Sequence, residues 1–359
     1  MKSAIGCLLL AVGLWAADPL HGQVAAERSN PNRLSDTGAY EIPKLFASDT
    51  VVRITLATNL RAIARARTGP TRYRPARLSY ADTGGATVTV PLRVRGRGHW
   101  RRTNCEMAPL LLNFWTDSSK KTLFARVGRG RLVVHCRNTD THDQYLLQEY
   151  QLYRVYNLLT PLSHRARLAH VTYMDSASGT QIAARHGFIL EDDDAMAKRN
   201  GARQDSSKGA KAGDLDAYTD ALVGVFQYMI GGTDWSVAGL HNVQLVKRPD
   251  GTMHAVAYDF DWSGAVNASY AKPDYRLPIS TVRQRLFRGY CAPPEEYARV
   301  FALFNDKKPA IYALYADHIG QLMKPDVVRR TLEYFDEFYA TISDPKRAAE
   351  LVRGCKQAQ

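Results

Sequence analysis

Residues 231–264 contain an arrangement of polar side chains able to handle a phosphate group: Asp234, then His241 and Asn242, then Asp259 and Asp261. Between Asn242 and Asp259 the chain reads as two apolar strands about a Pro-Asp-Gly turn, "HNVQLVKRPDGTMHAVAYDFD", and a hairpin brings its two open ends together. Flanking the turn with Arg248 and Gly251 sets Leu240 against Asp259 and Asn242 against Ala257, so Asn242 and Asp259 fall within reach across the ladder. Side chains alternate with period two, so Asp259 and Asp261 share a strand face. Asp234 can fold back over the same end. An amide with two or three carboxylates is a hard-cation site of the kind Mg²⁺ or Mn²⁺ selects, with room left for water or phosphate oxygens. Taken singly, each residue has a plainer use, as a helix cap, a turn bond or a solvated strand end. Taken together they converge on one end of one hairpin.

Phosphoryl transfer uses this inventory: one aspartate orients or deprotonates the attacking hydroxyl, and an Asn with a second Asp holds metal on the phosphates. A strongly basic region fits that chemistry. The chain of 359 residues has a net charge of +13, and residues 51–137 hold eighteen Lys or Arg against Asp82, Glu106 and Asp117. Such a surface attracts anions. Nucleic acid is disfavoured as the partner, because the N-terminus reads as a secretory signal and aromatic interleaving of the strand-binding kind is missing. Nucleotide phosphates or an anionic envelope polymer fit better, and a solvated basic face is the plain alternative.

The N-terminal segment carries Lys2, an apolar run over residues 5–17 and then small residues, the pattern of a signal peptide over residues 1–26. The run is shorter than the roughly 20 residues of a membrane span, and no second one occurs. The expectation is an exported chain, periplasmic or extracellular, with no integral membrane span after cleavage. Thiols oxidise in such compartments. Four cysteines remain, Cys105, Cys136, Cys291 and Cys355, and of their three connectivities the reading favours Cys105–Cys136 and Cys291–Cys355, each pair within one region.

The elements that must position these residues follow from periodicity. β-branched alternation with Gly and Pro turns predicts an antiparallel sheet from residue 51 to 136, then a helix over residues 143–159 stopped by Pro161. Two more strands follow to residue 190. Residues 198–214, rich in Gly, Ser and charge, read as a mobile insertion or linker. A helix ending at Gly231 and Gly232 leads into the hairpin, and the tail beyond residue 279 is helical by period. The expected organisation is a signal peptide (1–26), a basic β-rich part with one helix (27–190), a mainly helical part carrying the hairpin (191–345) and a tail (346–359).

The stretches "TDWSVAGLHNVQL" and "VAYDFDWSG" resemble the CotH kinase family, the atypical secreted kinases typified by spore coat protein H. "VRGRGHW" at residues 94–100 resembles its early glycine-bearing basic turn, and "HGFILEDDD" its strand carrying Glu191 toward the connection. The resemblance spans residues 92–264. It implies an α+β, two-lobed protein-kinase-like fold, ATP with Mg²⁺ or Mn²⁺, and phosphorylation of a secreted or envelope protein. It assigns Asp234 as catalytic aspartate, Asn242 and Asp259 as metal ligands and Asp261 as a further acid on the metal. Arg95, Gly96, Arg97, Arg102 and Glu191 become nucleotide-binding residues, with His241 and Glu149 supporting. Glu149 is the glutamate that would pair a basic residue, although an ordinary solvated helix acid is the stronger reading of it. "CEMAPLLLNF" places Cys105 and Glu106 where that family has a basic segment, leaving Arg95, Arg97, Arg101 or Arg102 as replacements. The other reading is a non-catalytic, pseudokinase-like envelope protein that binds an anionic polymer or a partner protein.

Overall fold

The computed structural model describes residues 40–356; the signal-peptide reading of residues 1–26 lies outside them. Strands β1 (Val52–Thr58), β2 (Arg74–Ala81), β3 (Thr87–Gly96), β4 (Leu110–Phe114), β5 (Arg129–Val134), β6 (Ala166–Asp175) and β7 (Thr180–Leu190) form one sheet. Its order is β1-β2-β3-β4-β5-β7-β6. Most neighbours are antiparallel, but β1 runs parallel to β6, with Ile54 opposite Val171, and that pairing closes the sheet into a seven-stranded mixed barrel. The two-lobed, kinase-like fold with an open antiparallel sheet is therefore corrected. Alternation explains why the strands can close: Val90, Leu92 and Val94 of β3 are fully buried, while Pro91 and Arg93 between them face out. Closure removes the sheet edges and fills the interior with Leu56, Leu78, Leu112, Phe124 and Leu132.

Short helices α1 (Leu60–Arg65), α2 (Trp100–Asn104) and α3 (Thr116–Ser119) decorate the barrel. The long helix α4 (Asp140–Leu159) lies between it and the second core. Tyr150 and Tyr153 of α4 pack on Phe188 of β7, with ring centroids 5.6 and 5.4 Å apart. Tyr156 stacks at 4.5 Å on Phe226 of helix α6 (Ala217–Ile230). A helix with apolar neighbours on both sides is buried around most of its circumference, and this brings Glu149 inside. Asp216 caps α6 by accepting from Thr219 N, and Gly231 ends it at φ 67°. A Cβ at Gly231 would meet the Tyr334 hydroxyl at 2.1 Å, so both the backbone and the packing require glycine there.

Residues 198–214 are ordered structure, which corrects the linker reading. They hold the end of α5 (Asp193–Arg199), strand β8 (Arg203–Asp205) and a 3-10 turn. Gln204 pairs with Val246, making β8 the third strand beside β9 (Val243–Lys247) and β10 (Met253–Ala257). The tail supplies α7 (Pro294–Ala313), α8 (Pro325–Ile342) and α9 (Pro345–Arg353), but residues 281–289 are not helical as the period suggested. Arg283 and Arg285 there lie over the Tyr334 ring at 4.0 and 3.5 Å, and tertiary contact outweighs local propensity. Both expected disulfides form. Cys105–Cys136 ties the end of α2 to the end of β5, and Cys291–Cys355 ties the chain before α7 to the chain after α9. No helix among the described residues is long and apolar enough to cross a membrane.

Asp220 of α6 offers a test of this packing. It is 4% exposed, one carboxylate oxygen has no hydrogen-bond partner, and burial reinforced by Asp216 pushes its pKa up to about 7. A carboxyl raised in the folded state is ionised in the unfolded chain first, so stability is lost as pH climbs from about 4 through about 7. Urea titrations of the wild type should show that decline, on the order of 3 kcal/mol. Asp220→Asn should flatten it and be the more stable protein at pH 8; parallel pH profiles for the two would show the packing to be wrong.

Candidate functional site

The hairpin sits one residue out of the expected register. Val243 pairs with Ala257 and Lys247 with Met253, because Arg248 N bonds to Thr252 O around a three-residue Pro249-Asp250-Gly251 loop, with Gly251 at φ 92°. Asn242 consequently stands opposite Tyr258, whose N–H donates to the Asn242 carbonyl at 3.0 Å. Beyond the last paired residues the backbone leaves the strand conformation: Asn242 adopts φ 51° and Asp259 φ 64°. Non-glycine residues hold that conformation only when their surroundings impose it, and such residues gather at functional sites. At Asp259 the constraint is visible, since its N–H donates to the Tyr153 hydroxyl of α4 at 2.9 Å.

Two groups of side chains meet here. In the first, Asn242 donates to the Asp234 carbonyl at 2.7 Å and to its carboxylate at 3.2 Å. His241 Nε2 lies 2.9 Å from the other Asp234 oxygen, and this contact, opposed by partial burial, raises the His241 pKa above its ordinary value. Asp234 stays open to solvent, with 44% of its side chain exposed. The second group is buried. Carboxylate oxygens of Glu149, Asp259 and Asp261 lie within 4.8 Å of one another, Glu149 being 1% and Asp261 4% exposed. The groups are electrostatic neighbours: Asp234 acts on Asp261, and Asp259 on His241.

Arg101 holds the second group. One guanidinium nitrogen is 3.6 Å from Glu149 and 3.7 Å from Asp261, and the other terminal nitrogen donates to the Val134 carbonyl. Burial pushes Glu149 well above the usual carboxylate range, Asp261 adds to this, and Arg101 opposes it. Burial also pushes Asp261 up, to about 6, with Arg101 pulling down and Asp259 pushing further. Conversely, burial would lower Arg101, but Tyr270, Asp261 and Glu149 together hold it above its ordinary value. The short helix α2 that carries Arg101 buries none of its own residues. It is held by Cys105 at its end and by Trp100, which packs at 5.3 Å on both Trp262 and Tyr270. Tyr270 in turn donates to Asp261 at 3.0 Å.

The remaining expected residues divide. Arg97 points into the site: burial and the nearby Arg131 lower its pKa, Asp259 raises it, and it has no ion pair among the described residues. Arg95 stacks on Tyr73 at 5.0 Å, away from the acids. Gly96 faces Ile63 of α1, and Arg102 donates to the Arg67 carbonyl. Glu191 is committed to Arg199 at 2.8 Å and to Arg165 N. Glu149, read from sequence as a solvated acid, is instead at the centre. The donor set brought together is Glu149, Asp259 and Asp261, with the Asn242 amide turned to Asp234. Tyr153 and Tyr270 carry no sequence signal beyond the helical stripe and the aromatic content near the hairpin.

This donor set fits a hard divalent cation: three convergent carboxylates, one of which, Glu149, has a buried oxygen without a hydrogen-bond partner. Removing the arginine isolates the charge problem. Arg101→Gln should cost about 3 kcal/mol at pH 8, because breaking a buried pair leaves uncompensated charge. Most of that loss should return at pH 5, where the two carboxyls protonate; a loss independent of pH in urea denaturation would refute the charge argument. No protein-family model, curated protein or solved structure matches the chain, so its function is carried by the residues of this site.

Proposed function

We propose that the protein is an exported phosphotransferase that uses ATP with Mg²⁺ or Mn²⁺ to phosphorylate a hydroxyl of a secreted or envelope protein. The observation that carries this is the division of labour at the hairpin: an exposed, doubly oriented Asp234 beside a trio of carboxylates, Glu149 and Asp261 buried and Asp259 half-buried. Asp234 would accept the proton of the acceptor hydroxyl as its oxygen bonds to the terminal phosphorus and the bond to the β-phosphate oxygen breaks. Asn242 and His241 fix the direction in which Asp234 presents its lone pairs. A divalent cation held by Asp259 and Asp261, with Glu149, would neutralise charge on the phosphate oxygens. Arg97 is the cation free to take a further phosphate oxygen through its planar fork. The order Asp234, Asn242, Asp259, by which the chain resembles CotH kinases, supports the same reading. Two disulfides support the exported compartment.

A second reading, a non-catalytic envelope protein binding an anionic polymer, is favoured by one observation. Arg93, exposed on the outer barrel face, lies over the rings of Tyr73 and Trp115 at 5.2 and 5.7 Å and has no ion pair among the described residues, so its charge is open to an anion. Thermal stabilisation by ATP with metal supports the first reading, and by a polyanion alone the second.

Incubation with γ-labelled ATP and Mg²⁺ or Mn²⁺ should label the protein or an added acceptor. Asp234→Ala and Asp259→Ala should each lower the rate about 100-fold or more. Absence of both metal-dependent nucleotide binding and label transfer in the intact protein would overturn the proposal.

A further inference from the structure

Asp234 opens onto a groove of about 570 Å³ whose far wall is built from the loop after the hairpin. Lys272, Arg276 and Arg288 line it, together with the rings of Trp262 and Tyr275. The acids in the groove already have partners. Asp274 is paired with Arg276, whose Nε lies 2.9 Å away, and Asp234 is held by His241 and Asn242. The cations are less satisfied. Lys272 has no ion pair among the described residues, and Arg288 donates to the Thr233 carbonyl, which sets its charge beside Asp234 without a salt bridge. Tyr275 is 93% exposed at the rim of the groove, with the Arg276 guanidinium 5.8 Å from the centre of its ring.

We infer that this groove is an acceptor cradle for an acidic polypeptide segment, the hydroxyl to be modified lying at Asp234 and flanking Asp or Glu residues at Lys272 and Arg288. This rests on the phosphotransfer reading for the role of Asp234, and adds the substrate class. A basic segment would meet uncompensated positive charge, whereas an acidic one supplies the missing counter-charges. The Trp262 and Tyr275 rings offer apolar faces for the peptide between its charges. The charge is fixed on the loop following Asp261, so the cradle and the cation site share one stretch of chain.

The test uses fluorescein-labelled peptides carrying one Ser flanked by Asp and Glu, by Lys and Arg, or by Gly and Ala, with binding to the full protein read by anisotropy with and without ATP and Mg²⁺. The acidic peptide should bind about tenfold or more tightly than the others, weaken as salt is raised, and bind alongside nucleotide. Lys272→Glu with Arg276→Glu should remove that preference. Lys120→Glu with Lys121→Glu, the same change in net charge outside the groove, should leave it in place. Equal binding of the three peptides, an equal loss in the control pair, or displacement of the peptide by ATP with Mg²⁺ would overturn the inference. The two readings fail separately. Acidic peptide bound in the groove without phosphate transfer removes the phosphotransfer reading and leaves the cradle; transfer preferring a basic or neutral peptide removes the cradle and leaves phosphotransfer.

Discussion

The Arg101 guanidinium, buried between Glu149 and Asp261, is the interaction on which the site depends. Two carboxylates on different elements, one on the long helix and one past the hairpin, cannot be packed together dry unless something compensates them. The cation that does so comes from a third element, a five-residue helix with no buried residues of its own. Such a helix has no independent stability. Its anchors are the Cys105–Cys136 disulfide and the Trp100 contacts with Trp262 and Tyr270. The oxidised cysteine pair, the aromatic cluster and the charge compensation are thus one arrangement, because each fixes the position that the others need.

Barrel closure serves the same end. Strands β5 and β6 run parallel with β7 between them, so α4 makes the crossover that joins them and lies against the barrel wall through Tyr150, Tyr153 and Phe188. That contact fixes the face of α4 that carries Glu149 and Tyr153. Tyr153 then receives the Asp259 N–H, which stabilises the left-handed backbone at that residue and aims its carboxylate at Glu149. A chain of contacts runs from the barrel strands to one aspartate.

Much of this was legible in the sequence where the signal is local. The strands are legible by alternation, α6 by the Gly231-Gly232 pair that ends it, and the disulfide pairs by region. Local signals also misled in specific ways. The hairpin was placed one residue out because Pro249-Asp250-Gly251 makes a three-residue loop where a two-residue turn was assumed. The barrel went unseen because its closure pairs Val52 with Ala169, and nothing near either residue encodes that meeting. Glu149 was undervalued for the same reason: it sits on a helix whose polar-looking face is covered by distant chain. Arg101 stood among several arginines with no local feature to single it out.

On the proposed reading, charge explains why nucleotide and metal should enter together. The buried group sets three carboxylates against Arg101 and Arg97, and burial already holds Glu149 and Asp261 toward their neutral forms. Phosphate groups arriving alone would meet those carboxylates and be opposed by them. A divalent cation arriving alone would find donors, but also Arg101 occupying their shared side. Each is opposed singly, whereas together the cation offsets both sets of anions and Arg97 is left to the phosphate. Asp234 is solvent-exposed and tied to His241, so the group that would take the proton is not one of the groups that would hold the cation. A site that must bind anions and abstract a proton gains from that division, since the oxygens that would accept the proton are not taken up by the cation.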